Sequence, residues 1–150
     1  MFNQTIDELK GLNLIEQNDI VIACMSSIST KRLLIIVLAA VLGGLVLGLI
    51  VGLIIYLKTD RHIMAANEKD LRVFDVKRKT KKYLGTYSSF RRDEINEALV
   101  KGSPGSFNIK LRTTTGDRKY QTGVKFEKHY QRDQVDGLRT LLTSNFNSTQ

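Results

Sequence analysis

The sequence predicts a membrane protein of two parts: a single-pass transmembrane α-helix, and after it a small α+β domain of the order β-β-α-β-β-α. Three observations carry this. Leu33 to Leu57 are 25 consecutive residues without a charge or a proline. Beyond residue 70 the chain changes to short runs of strand formers separated by turn residues. The charge is uneven, −1 over residues 1–32 and +9 over residues 58–150, for a total of +8. The expected organisation is a short amphipathic segment (1–32), the membrane helix (33–57), a juxtamembrane helix or linker (58–70), a basic domain (71–146) and a polar tail (147–150).

The apolar run sets the class. About 20 apolar helical residues span the roughly 30 Å hydrocarbon core of a bilayer. A lone segment satisfies its backbone groups in lipid only as a helix. The run is longer than the roughly 7–15 residues of a secretory signal's apolar stretch, and no small-residue cleavage pattern follows it. Lys31 and Arg32 bound one end, and Tyr56, Lys58 and Arg61 the other. These residue types hold a helix end at headgroup level. Ala40, Gly44, Gly48 and Gly52 recur at every fourth position and so share a helix face. In lipid, helices associate through close packing of small residues, so this stripe predicts contact with other transmembrane helices, of a second copy or of another protein. Five basic residues lie in the 20 positions after the run and two in the 20 before it. That bias favours the C-terminal domain on the cytoplasmic side and the N-terminal segment across the membrane.

The remaining elements follow in order. Thr5 to Glu8 fits a capping box, with Ile6 and Leu9 behind it, so an amphipathic helix is expected to about Glu16. It would lie on the bilayer or dock on a partner. Residues 58–70 are expected to prolong the membrane helix. Leu71–Val76 and Tyr83–Tyr87 read as two strands joined by a basic loop. Asp93–Lys101 reads as a helix, with Ile95, Ala98 and Leu99 on one face and acids at its start, as the helix dipole prefers. Phe107, Ile109, Leu111 and Thr113 alternate with polar residues, as do Tyr120, Thr122, Val124 and Phe126 after a turn at Gly116-Asp117. That is a hairpin with one buried and one wet face. Val135, Leu138, Leu141 and Leu142 fall at helical spacing and would cover the buried face. The closing hairpin and helix are similar in arrangement to the end of a pleckstrin-homology-like module.

Motifs for chemistry are few. Cys24 is the sole cysteine, which excludes an intramolecular disulfide and a cysteine metal cluster. His62 and His129 stand far apart without a second ligand at metal spacing. The expectation is therefore no catalytic residue, no metal and no cofactor. Lys77, Arg78, Lys79, Lys81 and Lys82 place five basic residues in six. Such a cluster attracts anionic lipid headgroups, at about 1 kcal/mol per basic residue near the surface. It would also suit an acidic protein surface or, less well, nucleic acid. The function expected first is a non-enzymatic accessory, assembly or scaffold subunit of a larger membrane complex, packing through the glycine stripe. The alternative is a membrane tether whose basic domain binds anionic lipid headgroups or nucleic acid.

Overall fold

The computed structural model describes residues 2–27, 30–77, 82–103, 106–121 and 131–146. Its elements are α1 (Phe2–Gly11), β1 (Ile20–Ser26), α2 (Thr30–Leu57), β2 (Arg61–Ala66), β3 (Asp70–Val76), β4 (Tyr83–Arg91), a 3-10 turn (Arg92–Glu94), β5 (Ile95–Ser103), β6 (Ser106–Thr113), β7 (Gly116–Gln121) and α3 (Gln131–Phe146). They form two units, one of Ser26–Thr59 and one of Met1–Met25 with Asp60–Gln150.

The larger unit is built on a seven-stranded antiparallel sheet of order β4-β3-β2-β1-β7-β6-β5. The α/β character is as expected, but the β-β-α-β-β-α pattern is replaced by seven strands. One core joins Ile22 and Met64 of the first strands to Phe107, Ile109 and Leu111 of β6, and Val135, Leu138 and Leu142 of α3 close it. On the opposite face of β1 to β3, Ile6 and Leu9 of α1 pack with Val21, Ala23, Ile63 and Phe74. The apolar face of the N-terminal helix thus docks on its own sheet. Thr5 lies within α1 and is buried, so it does not begin the helix as the capping pattern suggested.

Two strands stand where none was expected. β1 was assigned to the N-terminal segment and β2 to a helical extension. Both are central strands buried on two faces, so they show continuous apolar runs and no alternation. Because β1 belongs to the same sheet as β2 to β7, the N-terminal segment and the C-terminal domain lie on one side of any membrane. The expectation that they face opposite compartments is corrected by this pairing. The region 93–101, expected as a helix, is a 3-10 turn followed by β5. A bulge between Ile95 and Glu97 shifts the strand's parity, so Ile95 and Ala98 both point inward and imitate helical spacing. The turn after β6 lies two residues earlier than expected, at Thr114-Thr115, with Thr113 paired to Gly116.

A buried ion pair ties the start of β1 to β3. Arg72 donates from Nη2 to both carboxylate oxygens of Asp19, at 3.1 and 2.9 Å, and from Nη1 to the Leu14 carbonyl at 2.8 Å. Asn67 Nδ2 donates to the same carboxylate at 2.9 Å. Arg72 Nε lies 3.2 Å from Asp70 Oδ1 without hydrogen-bond alignment.

The smaller unit holds the apolar helix α2, long enough by residue count to span a membrane. Its hydrogen-bonded course is interrupted at Gly44, whose φ of 78° and ψ of 171° are not helical. A β carbon built on Gly48 would lie 2.6 Å from that of Ala40, and one on Gly52 would lie 3.6 Å from a methyl of Ile36. In a continuous helix, residues eight apart are separated by about 12 Å and residues sixteen apart by about 24 Å. The segment therefore doubles back at Gly44 into two antiparallel arms. Ile36, Ala40, Gly48 and Gly52 sit on the sheltered inner seam, and Leu42, Leu45 and Leu49 are among the residues exposed outside it.

Candidate lipid-binding end of the sheet

The strand register defines one end of the larger unit. Met25 of β1 pairs with Arg61 of β2, Arg61 with Val76 of β3, and Val76 with Tyr83 of β4. Four residues from four strands form a single row. Adjacent strands lie about 4.8 Å apart, so the row is roughly 14 Å wide. The chain departs for the apolar segment just after Met25 and returns just before Arg61. The β3–β4 loop begins just after Val76 and ends just before Tyr83. Lys77 and Lys82 are exposed and close this loop through Lys77 N–H donating to the Lys82 carbonyl at 2.9 Å. Arg78, Lys79 and Lys81 lie outside the described residues. The register thus brings Lys77, Lys82 and both connections to the apolar segment to the same sheet end.

One residue further in, a polar row crosses the same strands. Cys24 pairs with His62, and His62 with Asp75. His62 Nδ1 donates to Asp75 Oδ1 at 3.0 Å, and Thr86 Oγ1 donates to Asp75 Oδ2 at 2.8 Å. The Tyr120 ring meets the His62 ring edge-on at 5.5 Å. Burial lowers the His62 pKa from its ordinary value, partly opposed by Asp75. Burial pushes the Tyr120 hydroxyl up to about 12, with Arg118 pulling the other way. Burial also raises the Cys24 thiol far above its usual range, so it is a protonated apolar filler and not a thiolate nucleophile. The row holds a neutral imidazole against a fixed carboxylate just inside the basic end. No group of three or more metal-ligating side chains occurs among the described residues.

The other residues of interest are distributed as follows. Gly44 is the turn of the apolar segment, and Ala40, Gly48 and Gly52 face its opposite arm. Asp93, Glu94 and Glu97 do not act together: Glu94 accepts from the Arg91 N–H at 2.9 Å, and Glu97 lies 3.5 Å from Lys110 and 3.3 Å from Arg112. Arg61 was expected to anchor a helix end. Its place in the end row becomes visible only once 61–66 is known to be a strand.

No protein-family model and no curated protein matches the sequence. Among solved structures the chain is similar to the hSac2 domain from human phosphoinositide phosphatase Sac2, at 8% identity and a TM-score of 0.46, over 97% of this chain and 83% of that one. That domain comes from a phosphatase, and the expectation of a non-enzymatic accessory or assembly subunit is not carried forward; the likeness itself extends no further than the fold. At 8% identity no residue role passes from that protein to this chain.

Proposed function

We propose that this protein is a lipid-anchored module whose basic β3–β4 loop lies against anionic headgroups of the membrane that receives its apolar segment. The observation that supports this reading is the row Met25–Arg61–Val76–Tyr83. Lys77 and Lys82 of that loop stand within about 15 Å of both chain connections, close to two Debye lengths at physiological salt, so the contact is expected to be strongest at low salt. Arg61 joins the cluster from the same row, so the basic residues available exceed the four that suffice for headgroup attraction. An acidic protein surface and nucleic acid have no comparable support, because neither requires the cluster to share an end with the apolar connections.

Trypsin cleaves after Lys and Arg, so it reports directly on exposure of the loop. The full chain is reconstituted in vesicles of phosphatidylcholine alone, or with added phosphatidylserine. Cleavage at 77–82 is expected to slow several-fold on the acidic vesicles at about 50 mM salt and to recover at about 500 mM, as screening weakens the contact. Equal cleavage rates on both vesicles at low salt would remove the proposal.

A further inference from the structure

We infer that the apolar segment is a re-entrant helical hairpin that enters the membrane from one face, turns at Gly44 inside it, and leaves by the same face. The inference rests on the membrane anchoring of the preceding proposal and not on its headgroup contacts.

Four observations converge on this. First, the two ends of the segment are tied to a strand pair: Met25 and Arg61 are register partners, and antiparallel partners stand only about 5 Å apart. A straight helix over Thr30–Leu57 would carry its ends about 40 Å apart. Second, Gly44 takes a positive φ with extended ψ, a conformation that glycine alone adopts readily. Third, the small residues are spent within the segment. Gly48 admits Ala40, and Gly52 admits Ile36, across the seam between arms. Fourth, each arm from the turn to the segment's end is about 20 Å long, short of the roughly 30 Å hydrocarbon core. Neither arm reaches the far headgroups. Only Gly44 has non-helical angles within the segment, which limits the backbone groups left unpaired in lipid. Outside the seam, Val41, Leu42, Leu45, Val46 and Leu49 are exposed, as an acyl-chain environment requires. The partner is thus a lipid surface approached from one side, and α1, the sheet and α3 all remain on that side.

The test places two nitroxides on the full chain in lipid vesicles, at Ile35→Cys and Leu53→Cys in a Cys24→Ala background. The hairpin gives an interspin distance of about 10–15 Å, whereas a straight helix gives about 27 Å from 18 residues of rise. A second variant, Ile36→Cys with Gly52→Cys, guards against perturbation by the labels. Under mild oxidation the hairpin gives a disulfide within one chain, whose β carbons must approach to about 4 Å. A distance near 27 Å, or a cross-link found only between two chains, overturns the inference. Neither readout depends on salt or on acidic lipid, so failure of the headgroup contact and failure of the hairpin are separately visible.

Discussion

His62 shows how a residue's place in the sheet sets its chemistry. It sits one row inside the basic end, with its ring edge on Tyr120 and Nδ1 on Asp75. Burial disfavours the imidazolium more than Asp75 favours it, so the folded pKa lies below the ordinary value near 6.5. A group whose folded pKa is depressed contributes stability above its unfolded pKa, and that contribution is lost as pH falls through the folded value. The full chain is therefore expected to lose stability as pH falls below the ordinary histidine value near 6.5, and His62→Gln should reduce the loss, as read from denaturant midpoints. An unchanged pH dependence in the variant would show that His62 is not responsible. In the sequence this histidine lies five residues after the apolar run with no partner at recognisable spacing. Its partners come from β3 and β7, so only the folded sheet identifies them.

At the scale of elements, the hairpins are the most legible features and the central strands the least. β6 alternates Phe107, Ile109, Leu111 and Thr113 inward because its other face is wet, and period-two patterning reveals it. β5 hides behind a bulge that makes a strand look like a helix. Its ladder with β6 ends at the pair Ser103 and Ser106, and one pair before that end stands Gly102, where φ is 100° and a β carbon would run into the Ser106 carbonyl. Arg139 of α3 donates to the Gly102 carbonyl at 2.6 Å, so the closing helix rests on the end of β5. Gly102→Ala is expected to cost about 1–3 kcal/mol in unfolding free energy, since both the backbone angle and the clash oppose it. A midpoint equal to that of the unmodified chain would mean that the end of β5 relaxes without penalty. The covering helix was legible from Val135, Leu138 and Leu142, which all reach the core.

For the whole molecule, the consequence of the strand register is that the apolar segment is an insertion between two paired strands. Its removal should leave the sheet intact. Replacing residues 26–60 by Asn-Gly joins Met25 to Arg61 through a turn suited to a two-residue hairpin. The shortened chain is expected to be soluble without detergent and to unfold cooperatively, by circular dichroism and denaturant titration. A product that aggregates or lacks strand signal would show that the segment is needed to form the sheet. The same register explains why Lys77 and Lys82 share an end with the apolar connections, which is the physical basis of the proposed headgroup contact.

Sequence alone determined that a 25-residue apolar run is long enough to cross a bilayer, that a basic cluster stands between two strands, and that an amphipathic helix follows the last hairpin. Each of these follows from local hydropathy, charge or periodicity. The tertiary structure decided that β1 and β2 are partners, that the N-terminal helix covers its own sheet, and that the glycine-spaced residues face one another across a turn. These are pairings between residues distant along the chain. A strand buried on both faces carries no periodic signature, and a small residue admits a close neighbour without specifying which one. Only the folded register identifies that neighbour.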